Sequence, residues 1–215
     1  MRIGLDLDGT LLDSRLRHIA ALHKAADTLR VPLTEDDARR YLRLKCDGAS
    51  GVEALRQLGI QRAENLSKRW TEIIESEDML ALDQPYPDTL DALARQKSCR
   101  TEFILVTGRQ DPAAVRRQVS RLGLEEYFRE VIVVDPRDGA QSKAAVTRNH
   151  DLGTVVGDTE IDSQWAHDLG VNFYASSFGF RSQRYWNRRN VASYNSLSAI
   201  FDAITRTDSG TTLNC

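Results

Sequence analysis

The chain has 215 residues and a formal net charge of −2, room for one large domain or a domain with an insert, and too balanced in charge for a general pull toward nucleic acid or an anionic membrane. Hydrophobic residues make up 41% of it, and Gly (13) and Pro (5) are not enriched, which excludes fibrous and low-complexity classes; no run reaches the roughly 18 apolar residues of a membrane span. The three cysteines, Cys46, Cys99 and Cys215, form no CxxC and no zinc spacing, and Asp6 and Asp8 interrupt the N-terminal apolar stretch, so reduced thiols, no signal peptide and a cytoplasmic location are expected.

The first element is "RIGLDLD" (2–8), a short apolar run that ends in two aspartates one residue apart. Residues i and i+2 of a strand face one side, so Asp6 and Asp8 would point into one site; "DGT" also suits a plain turn with Asp as turn former. Residues 14–87 show no strand character. Leu12, Leu16, Ile19, Leu22, Ala26 and Leu29 recur at spacings of 3 and 4, one apolar helix face, with Arg15, Arg17 and His18 read as its solvated side near the hinge. "TEDDARRYLRLK" follows, with Thr34 as N-cap and acids in the first turn. "SGVEALRQLG" has Ser50 as cap, Glu53 three residues on and Gly59 as stop. "AENLSKRWTEIIE" completes a four-helix insertion, and Pro85 and Pro87 stiffen the return.

Beyond the insertion, strand and helix alternate. "EFILVTG" (102–108), "EVIVVD" (130–135), "GTVVGD" (153–158) and "VNFYASS" (171–177) are short continuous apolar runs, as expected of strands covered on both faces. Helices at "YPDTLDALARQ", "DPAAVRRQVSRLGL" (Asp111 as N-cap, Pro112 first, Gly123 as stop), "SKAAVTR" and "DSQWAHDLG" separate most of them. The fold class is therefore α/β: a Rossmann-like parallel-sheet core over 1–13 and 88–205, an inserted helical bundle over 14–87, and a polar, flexible tail over 206–215.

Ligands of open parallel sheets bind beyond the carboxyl ends of the strands. Those ends carry Asp6, Asp8, Thr107, Arg109, Asp135, Asp158 and Asp162. Several carboxylates at one edge need a cation, and oxygen-only ligands point to a hard one, Mg2+. Thr107 is either a β-favouring residue or a hydroxyl donor. Lys143 is either a surface lysine or, in the first turn of a helix whose dipole disfavours it, a partner for something anionic. Carboxylates, Mg2+, a hydroxyl and a lysine together suit a phosphoryl group.

These stretches, "DLDGT" (6–10), "VTGR" (106–109), Lys143 in "QSKAAV" and "VGDTEID" (156–162), resemble the haloacid dehalogenase-like hydrolase superfamily, in its order. The insertion falls where members with a type 1 cap carry a four-helix cap, and the nearest look is to the phosphoglycolate phosphatase and β-phosphoglucomutase group. The resemblance implies that Asp6 is the nucleophile of an aspartyl-phosphate mechanism and Asp8 the general acid/base. It implies that Thr107 holds a phosphate oxygen, with Gly108 and Arg109 beside it, and that Lys143 offsets charge. Asp158, the Asp6 carboxylate and the Asp8 carbonyl would hold Mg2+, with Asp162 acting directly, through water or through hydrogen bonds to the ligands. Asp8 is expected to have a raised pKa, as one of two carboxylates sharing a site.

The expected activity is Mg2+-dependent hydrolysis of a small phosphorylated metabolite by a monomer or homodimer, with neither nucleic acid nor membrane as partner. A sugar-phosphate mutase of the same superfamily and a phospho-accepting signalling domain are the alternatives; a dinucleotide-binding module lacks its GxGxxG. In the "LKCDGASG" turn (44–51), Lys45 and Ser50 are candidates to read the leaving group, beside the plainer role of Lys45 as a surface lysine. Arg181 follows the fifth strand and is placed to line the entrance, and Phe178, Phe180, Tyr185 and Trp186 are read as packing.

Overall fold

The computed structural model describes residues 1–211. In chain order the elements are β1 (Arg2–Leu5), β2 (Leu12–Asp13), α1 (Arg15–Leu29), α2 (Glu35–Cys46), α3 (Gly51–Gln57), α4 (Ala63–Ile73), α5 (Glu77–Leu80) and β3 (Gln84–Pro85). There follow α6 (Thr89–Ser98), β4 (Glu102–Gly108), α7 (Pro112–Arg121), β5 (Phe128–Val134), α8 (Gly139–Thr147) and β6 (Thr154–Gly157). The chain then runs through α9 (Glu160–Leu169), β7 (Asn172–Ser176), α10 (Gln183–Asn187), β8 (Ser193–Tyr194) and α11 (Leu197–Thr211).

Six strands form one parallel sheet in the order β5-β4-β1-β6-β7-β8. The chain builds outward from β1 to one side and then returns to build on the other, which leaves a crevice at the carboxyl end of β1. The continuous apolarity of the strands has the expected cause. Phe103 and Leu105 pack with Ile3, Leu5 and Phe201 on one face, while Ile104 and Val106 pack with Val155 and Trp165 on the other, so neither face is left to water.

The insertion has its own apolar cluster, including Ala21, Leu22, Tyr41, Leu55, Leu66 and Ile73. Its two connections pair with each other: β2 and β3 form an antiparallel ribbon, Leu12 opposite Pro85 and Asp13 opposite Gln84. Capping boxes at Thr34/Asp37 and Ser50/Glu53 set the starts of α2 and α3 as their sequences require.

Several expectations change. β1 ends at Leu5, so Asp6 and Asp8 stand on the loop after it; the Asp6 N–H still donates to Val156 O at 3.1 Å, and the turn closes on Leu7 O. The inner face of α1 is shifted: Leu12 belongs to the ribbon, Leu16 is 58% exposed, and Arg17 and His18 are buried beside Ala21, Leu22, Ala25 and Ala26. The shift follows from charge, because two carboxylates described below capture Arg17. The insertion has a fifth helix, the single turn α5. The short edge strand β8 was not expected. The expected tail at 206–215 is helical to Thr211, where the Thr207 hydroxyl donates to Ala203 O and accepts from the Tyr174 hydroxyl; the rest of it, with Cys215, lies outside the described residues. Cys46 and Cys99 are free thiols. Among the described residues no helix is long and apolar enough to cross a membrane.

Candidate active site

A cavity of 480 Å3 opens between the carboxyl edge of the sheet and the insertion. It gathers Asp6, Asp8, Thr107, Gly108, Arg109, Lys143, Asp158 and Asp162 from the core, and Arg17, His18, Lys45 and Trp70 from the insertion. Ser50, Asp135 and Arg181 do not line it. The Ser50 hydroxyl caps α3, and Asp135 pairs with Arg137. The Arg181 guanidinium binds Glu160 at 2.7 Å and donates to Lys45 O at 2.5 Å.

Lys143 is the fifth residue of α8 rather than a first-turn residue. Its position is explained by its partners: the ammonium donates to Asp6 Oδ1 at 2.6 Å and Asp162 Oδ1 at 2.7 Å, all buried. Burial alone would depress Lys143, but Asp162 and Asp6 outweigh it and hold the ammonium above its ordinary pKa. Asp162 Oδ2 accepts from the Thr159 N–H at 3.1 Å and the Thr159 hydroxyl at 2.8 Å. Both its oxygens are therefore engaged, and it aims Lys143 at Asp6 while capping α9.

Asp158 is the residue with spare capacity. Oδ2 accepts from the Phe180 N–H at 2.5 Å, while Oδ1 is buried with no partner. The backbone closes on this carboxylate: a Cβ at Gly179 would stand 2.4 Å from Asp158 Oδ2 and 2.2 Å from Gly9 O, so glycine is required there. Burial raises Asp158 well above the usual carboxylate range, with the charges of Asp6 and Asp162 adding to it. Burial likewise pushes Asp6 up to about 7, against the pull of Lys143. One oxygen each of Asp6, Asp158 and Asp162 lies within 4.8 Å of the others. An all-oxygen donor set, an orphaned buried oxygen, and the carboxyls of Asp6 and Asp158 raised by burial and by neighbouring acids fit a hard divalent cation such as Mg2+.

Asp8 departs from expectation. Arg109 grips it with Nε to Oδ2 at 2.6 Å and Nη2 to Oδ1 at 2.8 Å, and Arg17 Nη2 donates to Oδ1 from the other side. Burial would raise this carboxyl, but the Arg109 and Arg17 guanidiniums outweigh it and hold it below the usual carboxylate range. The raised pKa expected for Asp8 is thus found instead at Asp6 and Asp158, where burial is not outweighed by two arginines as it is at Asp8.

The insertion supplies what the sequence did not reveal. His18 is buried between Trp70 and Phe180, ring centroids 5.1 and 4.4 Å away, with Nδ1 unpartnered. Burial, with Lys45 and Arg17 adding, keeps the imidazole neutral. The Lys45 ammonium lies over the rings of Tyr41, Trp70 and Phe180 at 5.4 to 5.7 Å. Nothing in local spacing marks Arg17 or His18, because their partners are distant in sequence.

A parallel sheet with clustered carboxylates and a lysine at its crevice, beside an inserted helical bundle, defines an α/β enzyme with a helical insertion. Residues 3–176 match the family described as haloacid dehalogenase-like hydrolase, and the chain belongs to that family: it is a hydrolase. A curated relative, phosphoglycolate phosphatase of Rhodobacter capsulatus, is 26% identical over 220 residues, covering 91% of this chain and 92% of its own. Among solved structures, a haloacid dehalogenase-like family hydrolase from Streptococcus pneumoniae superposes with a TM-score of 0.74 at 18% identity, over 94% of this chain and 97% of its own. A protein described as a candidate β-phosphoglucomutase from Thermotoga maritima gives 0.67 at 20% identity, over 95% and 98%. At these identities the structural likeness speaks for the fold.

Proposed function

We propose that the protein is a Mg2+-dependent phosphatase that hydrolyses a small phosphorylated metabolite, phosphoglycolate-like or sugar-phosphate-like, through an aspartyl-phosphate on Asp6. The observation that carries this reading is the buried Asp6–Lys143–Asp162 contact beside the unpartnered Asp158 oxygen, in one cavity with Asp8. The relative named phosphoglycolate phosphatase supports the substrate class.

In this reading residues 14–87 act as a cap over a core of 1–13 and 88–205. Asp6, Asp158 and the Asp8 carbonyl hold Mg2+, which when bound offsets negative charge around the phosphoryl group. Asp6 Oδ attacks phosphorus, the bond to the leaving oxygen breaks, and that oxygen takes a proton from Asp8. Water then attacks phosphorus and returns a proton to Asp8, the bond to Asp6 breaks, and inorganic phosphate leaves. In the resting arrangement Asp8 is in its base form. A phosphate dianion beside Asp6 opposes the two arginines and raises the proton affinity of Asp8 for the first step. Lys143 neutralises charge on Asp6 and the phosphate, Thr107 and Gly108 hold phosphate oxygens, and Lys45 faces the leaving group.

Asp6→Asn is expected to abolish phosphate release from 4-nitrophenyl phosphate and phosphoglycolate with Mg2+ present, with an unfolding midpoint close to that of the parent. Robust turnover by that variant would overturn the mechanism. A sugar-phosphate mutase is the second reading: the same cluster of Asp6, Asp8 and Lys143 would serve phosphoryl shuttling as well as hydrolysis. It predicts isomerisation primed by a bisphosphate, with total ester phosphate conserved.

A further inference from the structure

We infer that Asp83 is a positioning residue for Asp8, acting through two arginines that span the hinge of the insertion. Asp83 stands one residue before β3, where the chain returns to the core, and is fully buried at 0% exposure. Its Oδ1 accepts from Arg17 Nε at 2.9 Å, and its Oδ2 accepts from Gln118 Nε2 at 2.7 Å and lies 3.6 Å from Arg109 Nη2. The same two guanidiniums hold both oxygens of Asp8. Arg17 and Arg109 are 2% and 4% exposed. Two acids and two arginines thus close a cluster, buried except for the part-exposed Asp8, that joins the loop after β1, the start of α1, the return linker and the end of β4.

A buried ion cluster is a poor stabiliser, since apolar residues of similar volume commonly serve at least as well. Its use here is geometric. A guanidinium is a planar fork, and Arg17 reaches Asp8 through Nη2 only while Asp83 fixes Nε. Arg17 lies in the first turn of α1, just after β2, and Asp83 immediately precedes β3, so both flank the β2–β3 ribbon. The direction in which Asp8 points is therefore tied to the seating of the hinge, and so to that of the insertion. Without Asp83 the Arg17 guanidinium keeps, besides Asp8, only a 3.5 Å bond from Nη1 to Ile74 O, and the more loosely held of the two arginines on Asp8 loses its anchor.

The inference rests on the phosphatase reading, and leaving-group dependence separates the two. A carboxyl that delivers a proton to the departing oxygen matters most for alkyl esters, whose alkoxides leave poorly, and little for 4-nitrophenyl phosphate. In Asp83→Asn, kcat/KM for an alkyl ester such as phosphoglycolate is expected to fall about 100-fold, and that for 4-nitrophenyl phosphate about tenfold less steeply. Arg17→Lys, which keeps the charge but not the fork, is expected to show the same selective loss, and it decides the matter if Asp83→Asn does not fold. Equal losses on both esters in a folded variant, or no loss, would overturn the inference, because a merely structural role lowers both alike. A parent enzyme that releases phosphate from neither ester with Mg2+ would overturn the phosphatase reading itself, and this inference with it.

Discussion

Lys45 is half-buried among three aromatic rings, and among the described residues no carboxylate pairs with it. Burial, with the Arg181 charge adding, lowers its pKa to about 8. The sign is direct: the ammonium is charged below that value and neutral above it. If Lys45 reads an anionic leaving group, kcat/KM for phosphoglycolate is expected to fall as pH rises through about 8, while that for an alkyl phosphate with an uncharged leaving group is not. Lys45→Met should remove this limb and raise KM about tenfold, the equivalent of about 1.4 kcal/mol of binding. A limb that persists in the variant would assign it to another group. At this scale the sequence was informative wherever chemistry is local. Asp6, Asp8, Thr107, Lys143, Asp158 and Asp162 share short motifs, and all line one cavity. Arg17 was misplaced because helical spacing put it on the outer side of α1, and its captor Asp83 lies 66 residues further on. The larger of the two charges that hold Asp8 down, Arg109, lies 101 residues from it, so that pairing too is absent from any local pattern.

Ser50 shows how an element-scale role can pass for a site role. It lies in the turn that carries Lys45, yet its hydroxyl accepts from the Glu53 N–H at 3.2 Å while Glu53 accepts from the Ser50 N–H at 2.8 Å. That reciprocal pair satisfies two donors at the start of α3 and leaves Ser50 outside the cavity. Ser50→Ala is expected to cost about 1 kcal/mol of stability, read as a shift in urea midpoint, with KM for the best substrate unchanged. A raised KM at unchanged stability would return Ser50 to the site. Elements with strong local signals were legible: the capped helices α2 and α3, the Asp111-capped α7, and the apolar strands. β8 was not, since two residues carry too little pattern, and α5 is a single turn whose existence depends on packing against α1.

The molecule as a whole is a core and an insertion with separate apolar clusters, joined by polar ties and by the contacts of Phe180 with His18 and Lys45. On one side Glu75 accepts from the Gln110 N–H at 2.9 Å and the Asp111 N–H at 3.2 Å. On the other, Arg181 bridges Glu160 to Lys45 O, and the Ser182 N–H donates to Cys46 O at 3.0 Å. Polar ties of this kind can break and reform with little change in buried apolar area, which would suit the cap role proposed for the insertion. Arg181 is the stronger tie, because its guanidinium is forked on Glu160 and lies 5.2 Å from the centre of the Tyr185 ring. It also fixes the backbone of the turn that presents Lys45. Arg181→Met removes a charge-assisted bond to a carbonyl, an interaction of about 1.5–3 kcal/mol, so KM should rise about 10- to 100-fold. The loss should fall on KM rather than on kcat once substrate is saturating, since Arg181 touches none of the reacting groups. Lys45→Met and Arg181→Met should also be non-additive in KM, because the second change acts through the position of the first. Additive effects would mean that Arg181 closes the insertion independently of Lys45, and a fall in kcat alone would mean that it reaches the chemistry through Glu160 and α9.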